Sequence, residues 1–113
     1  MNLGQFIDKL KTYDSDLPVK VEGPNTTLVA PRSYRGYYDR LAFEPCTEAS
    51  STVSDVLAYA KYAVGKTYYG YKGGLFLMDR NTLLHVADYG CCGEMIVGLR
   101  KKDGVVWVMT EEE

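Results

Sequence analysis

Four strand-like runs, 75–78, 83–88, 95–100 and 105–110, follow one another with only short breaks. The last two flank Lys101-Lys102-Asp103-Gly104. Asp-Gly between two apolar runs is a strong hairpin signal, because the favoured two-residue turn needs positive φ at both central positions. Strands that succeed one another through turns pair antiparallel, so this stretch favours an α+β architecture over a doubly wound parallel sheet.

The first half supplies the helices. Leu3, Phe6, Ile7 and Leu10 recur at helical spacing, with Asn2 as N-cap and Gln5 three residues on, and the turn-rich 13–16 ends that helix. Residues 17–22 alternate like a strand and stop at Gly23-Pro24-Asn25. Residues 23–40 read as a long connection with a short strand at 27–29, and 41–44 as a strand closed by Pro45. A second helix is capped by Thr52 with Asp55 at the third position. It carries the stripe Val53, Val56, Leu57, Ala60 and Val64 and halts at Gly65. The order α-β-β-α-β-β-β-β predicts a mainly antiparallel sheet of five or six strands with two helices on one face. The other face is then partly open to a ligand or another subunit.

A length of 113 residues predicts a single domain over 1–113, with 111–113 as a solvated acidic tail. The apolar share of 46% is enough for a core and excludes wholesale disorder. No apolar run reaches the roughly 18–20 residues of a membrane span. The first residues lack the basic and long apolar regions of a secretory signal, which predicts a cytoplasmic protein with no membrane partner. Cys46, Cys91 and Cys92 make a poor disulfide framework, since two are adjacent and the count is odd. With His85 the sole histidine they also make a poor zinc set, so neither a metal nor a cofactor is expected. A net charge of −2 argues against long nucleic acid, whose binding draws on a broad basic face.

Three segments stand out chemically. In Ser33-Tyr34-Arg35-Gly36-Tyr37-Tyr38-Asp39, tyrosines offer flat apolar faces with polar tips and arginine offers a planar donor fork suited to phosphate. Gly36 permits a sharp turn or close approach to a ligand. That set suits a base stacked on a ring with its phosphate held by a guanidinium. It equally suits a loop whose tyrosines fold over the core while Arg35 pairs with Asp39. In Tyr68-Tyr69-Gly70-Tyr71-Lys72-Gly73-Gly74, the glycine N–H groups can form an anion-binding nest with Lys72 as point charge. The P-loop spacing is absent, and a plain tight turn is the competing reading. Asp88-Tyr89-Gly90-Cys91-Cys92-Gly93-Glu94 holds two thiols, but a cysteine nucleophile needs a positioned base. His85 alternates into a strand, where a satisfied structural histidine is the simpler expectation. No catalytic residue is assigned.

These same residues carry a resemblance. Ser33–Asp39 followed by Leu41-Ala42-Phe43-Glu44-Pro45, Thr52-Val53 opening a helix, Gly65-Lys66-Thr67, Gly70-Tyr71-Lys72-Gly73-Gly74 and Asp88-Tyr89-Gly90 with Gly93-Glu94 resemble a family of short, largely uncharacterised proteins of tailed bacteriophages. The likeness runs from the first helix to about residue 98. Leu84-His85-Val86 and the chain from Arg100 onward, with Trp107, depart from the family pattern. The resemblance implies an accessory protein that interferes with a host process, and by analogy of context a sponge for a nucleotide immune signal.

Together these readings give a non-enzymatic binder of a small nucleotide, such as a cyclic oligonucleotide or an ADP-ribose derivative. Tyr34, Tyr37, Tyr38 and Tyr71 are expected to stack on base or ribose. Arg35 and Lys72, with Gly36, Gly73 and Gly74 supplying close backbone approach, are expected to hold phosphate. A small domain with an open sheet face gains pocket depth by pairing, so a homo-oligomer is expected. A protein–protein inhibitor acting through the same tyrosines is the reading from another class.

Overall fold

A computed structural model describes residues 1–34, 37–47, 50–69, 75–88 and 91–112. For those within 30–40, and for 68, 69, 75, 76, 88, 91 and 92, it describes the backbone alone. The elements run α1 (Leu3–Leu10), β1 (Val19–Val21), β2 (Thr27–Tyr34), β3 (Tyr37–Cys46), α2 (Val53–Ala63), β4 (Thr67–Tyr69), β5 (Leu75–Leu77), β6 (Leu83–Asp88), β7 (Cys91–Lys102) and β8 (Val105–Glu111). The fold is α+β: two helices on one face of a six-stranded, mostly antiparallel sheet in the order β1-β8-β7-β6-β3-β2. β4 and β5 form a separate two-stranded ribbon.

Both helices begin on reciprocal caps. The Asn2 side chain accepts from Gln5 N–H at 2.8 Å, and the Gln5 side chain accepts from Asn2 N–H at 3.0 Å. Thr52 and Asp55 repeat the arrangement for α2. Two more free donors of α1's first turn are met by the chain leading into β6, with Leu3 N–H bonded to Thr82 C=O and Gly4 N–H to Arg80 C=O, both at 2.8 Å. That loop lies so close that a Cβ on Gly4 would sit 3.0 Å from Arg80 atoms. The buried stripe Leu3, Phe6, Ile7 and Leu10 meets Val53, Val56, Ala60 and Ala63 of α2 and the inner strand residues in one core. Phe6 and Phe43 join α1 to β3 through tilted rings 5.4 Å apart.

The sheet curls almost into a barrel, because its edges β1 and β2 are consecutive in the chain. β1 runs parallel to β8 (Val19↔Val106, Val21↔Val108), and β6 runs parallel to β3 (Leu41↔Leu84, Phe43↔Val86). β7 and β8 form the expected hairpin, with Lys102 opposite Val105. Asp103 and Gly104 both take positive φ, 53° and 76°, as a two-residue hairpin turn requires. The seam between β1 and β2 is bridged by single bonds. Val21 N–H meets Thr26 C=O at 2.7 Å. The buried Thr27 hydroxyl donates to Val19 C=O at 2.8 Å and accepts from Ser51 N–H at 3.3 Å.

Several expectations change. Residues 23–40 are not a long loop, since β2 and the first half of β3 form a hairpin from Thr27↔Cys46 to Tyr34↔Tyr37. Register shifts at Val29/Pro31 and Arg32/Tyr34 break the period-two alternation that would have revealed β2. Pro45 lies within β3 opposite Leu28, past the last β6 pair at Phe43, where no second ladder demands the N–H that proline lacks. Residues 75–77 pair with β4 rather than joining the main sheet, and Glu111 belongs to β8. Val64 falls just past α2 and is exposed, with Gly65 at φ 77° behind it.

Thr27→Val keeps the shape of the seam residue but removes its hydroxyl, leaving Ser51 N–H buried without that acceptor. The expected loss of stability is about 1–3 kcal/mol. Denaturant unfolding should show a lower midpoint at unchanged slope.

Candidate functional site

Strand register fixes where the three chemically distinctive segments lie. Tyr34 and Tyr37 face one another across the β2–β3 ladder and bracket residues 35 and 36. Tyr69 pairs with Leu75 and closes the β4–β5 ladder around residues 70–74. The backbones of β2 and β4 approach within 8 Å, so the hairpins carrying these two segments are neighbours. Arg35, Gly36, Tyr71, Lys72, Gly73 and Gly74 lie outside the described residues, and Tyr34, Tyr37 and Tyr38 are described by backbone alone, as residues of strands rather than of a loop. The third segment lies elsewhere. Because β6 is parallel to β3, Asp88 and Cys91 sit at the end of the sheet where β3 finishes, away from Tyr37 where it starts. From Tyr37 to Pro45 the strand extends roughly 25 Å.

His85 is fully buried in β6, opposite Ala42 of β3 and Met95 of β7. Its flanking residues Leu84 and Val86 turn into the core with the helices. His85 thus belongs to the interior of the sheet, in keeping with a structural histidine. Trp107 lies opposite Arg100 on the strand face away from the core and donates its indole N–H to Lys102 C=O at 3.3 Å. Among the described residues no group of three or more His, Cys, Asp or Glu side chains could hold a metal ion, and no helix is long and apolar enough to cross a membrane.

A cleft that sequence reasoning did not single out opens at the end of the barrel where β3, β6 and β8 approach the β1–β2 turn. It encloses about 290 Å³. Val21 and Val86 form its floor, and Pro24 and Pro45 stand at its walls. Its polar groups are Thr26, Glu94 and Thr110. Register explains their orientation. Val86 pairs with Glu94 and Ile96 with Thr110, so all four occupy one face of the strands, and Val86 and Ile96 belong to the buried core. Glu94 is the inward position two residues before Ile96, and Thr110 continues the inward series Val106, Val108. The Thr110 hydroxyl donates to Glu94 Oε2. The Thr26 hydroxyl oxygen is shielded from solvent and has no hydrogen-bond partner among the described residues. The signal in the sequence was polar residues continuing an apolar period-two series, a pattern visible only once the register is known.

Three large apolar side chains of the described residues stand exposed on α2, β5 and the link between α2 and β4. Tyr62 and Leu77 are exposed by 69% and 67%, and Val64 lies between α2 and β4. Lys66 Nζ stands 3.9 Å from the centre of the Tyr62 ring.

Comparison with protein-family models, with curated proteins and with solved structures returns no match. The functional argument rests on the chemistry of the residues themselves.

The Lys66 ammonium hydrogen-bonds the Tyr62 phenol, and its charge adds a second favourable term for the phenolate. Together they lower the pKa below the ordinary 10.0. A spectroscopic titration should show Tyr62 ionising below the ordinary tyrosine value as pH rises. In Lys66→Met that step should return to the usual tyrosine range.

Proposed function

We propose that the protein is a phage-encoded antagonist of host defence that binds and sequesters a small nucleotide signal, a cyclic oligonucleotide or an ADP-ribose derivative, without cleaving it. The observation that carries the reading is the adjacency of two hairpins. β2–β3 leads into Arg35-Gly36 between paired tyrosines, and β4–β5 leads into Gly70-Tyr71-Lys72-Gly73-Gly74. In this reading the two sequence segments would contribute stacking faces, a guanidinium, an ammonium and glycine N–H groups to a shared site. Stacking on tyrosine tolerates different bases, while arginine and a glycine nest select phosphate. The phage assignment draws on the resemblance of these segments to phage proteins, and host cytoplasm is the location it implies.

A homo-oligomer accompanies the proposal. Exposed Tyr62, Val64 and Leu77 beside the β4–β5 ribbon supply an apolar patch whose burial by a second copy would wall the nucleotide region. Light scattering at micromolar concentration should report a dimer or larger closed assembly, and a monomer throughout contradicts this part.

Arg35→Ala and Lys72→Ala should each weaken nucleotide binding by about 1.5–3 kcal/mol, with the double variant non-additive because both groups meet one phosphate region. Tyr38→Phe should retain most of the affinity that Tyr38→Ala loses. Calorimetry against a panel of nucleotide signals measures all five variants, and wild-type affinity in both charge variants would sink the shared-site reading. Nucleotide recovered after denaturing the complex should be chemically unchanged, whereas a new species on chromatography would make the protein an enzyme. If no nucleotide binds while Arg35→Ala abolishes capture of a host defence protein, the tyrosines serve a protein interface instead.

A further inference from the structure

The cleft at the barrel end is chemically unlike the hairpin region and lies at the opposite end of β3, so it is a second site with its own ligand. Three features decide what it takes. First, its lining includes the core residues Val21 and Val86 and two prolines, so it receives an apolar body rather than a phosphate. Second, Glu94 is the charged side chain among its described lining residues. Register turns that side chain to the inner face, where its strand neighbours are core residues. Third, its hydrogen-bonding capacity is skewed toward acceptance. The Thr110 proton is committed to Glu94, which leaves the Thr110 lone pairs and the second carboxylate oxygen available to donors. The shielded Thr26 hydroxyl adds a further oxygen with no partner among the described residues. Such a cleft repels anions, gives a neutral apolar molecule no use for its carboxylate, and matches a ligand that brings several N–H donors and a positive charge.

We infer that the barrel-end cleft binds a small organic cation, an amidine, guanidine or primary amine on a compact apolar body. Its N–H groups bond Glu94, Thr110 and Thr26, and its body rests on Val21 and Val86. At about 290 Å³ the space takes a single ring or a short chain. A planar amidinium pairs two parallel N–H donors with a carboxylate, so benzamidine is the probe whose geometry fits most directly. Benzamide has the same shape without the charge, and benzoate reverses it.

The test titrates the full-length protein with each probe, read by calorimetry and by backbone amide shifts. Benzamidine should saturate and should shift Thr26, Glu94 and Thr110, while benzamide binds about tenfold or more weakly and benzoate not at all. Glu94→Gln keeps the size and the acceptor for Thr110, and should cost benzamidine about tenfold or more in affinity without lowering the melting temperature. Thr26→Val should weaken benzamidine severalfold, and serves as the deciding variant should Glu94→Gln fail to fold. Absence of saturable benzamidine binding overturns the inference. So do equal affinities for the three probes, undiminished binding in folded Glu94→Gln and Thr26→Val, or shifts confined to the hairpins that carry residues 34–38 and 70–74. Arg35→Ala and Lys72→Ala should leave benzamidine binding unchanged, so loss of the nucleotide reading leaves this result standing, and the reverse holds too.

Discussion

The seam at Thr27 holds the molecule's plan together. A six-stranded sheet whose edges are neighbours in sequence closes on itself only if those edges meet, and the β1–β2 turn is too short to let them drift apart. Beside the bond from Val21 N–H to Thr26 C=O, one buried hydroxyl donates to Val19 and accepts from Ser51, while Val19 N–H returns a bond to Ser51 C=O at 2.9 Å. The same junction fixes the start of α2, because Pro18 bridges Thr52 and Val53 N–H bonds Leu17 C=O. Sheet closure and helix placement thus share one set of polar contacts in an otherwise apolar interior. Burial makes those contacts expensive to lose.

The elements legible in the sequence were those specified locally. The caps at Asn2 and Thr52, the helix stop at Gly65 and the Asp103-Gly104 turn each depend on residues within a few positions of one another, and all are present. β2 was obscured because its bulges and Pro31 disrupt the alternation on which strand recognition depends. Parallel pairing of β1 with β8 and of β3 with β6 was also hidden, because no local pattern records which distant strand becomes a neighbour.

The sites follow the same division. Tyrosine, glycine and basic residues marked the two segments by composition, as a loop and a turn, and the backbone shows that neighbouring hairpins lead into them. The barrel-end cleft had no compositional mark. Glu94 reads as an ordinary glutamate in the sequence, and it stays exposed in the fold, but the register sets it opposite Val86 and on the same face as Ile96. A cleft assembled from a turn and from residues of five strands exists only as a product of the fold.

The parallel β1–β8 ladder has a consequence for how the chain becomes a protein. Val19 finds its strand partner at Val106, so most of the chain must be synthesised before β1 has a sheet to join. Until then its inward valines have no ladder to anchor them, and the seam with β2 alone cannot order three residues. The β7–β8 hairpin, closed by a tight local turn, is the piece able to form first and serve as template. On a ribosome the N-terminal strand would therefore wait for the C-terminal one, and truncation within β8 would undo the first strand along with the last.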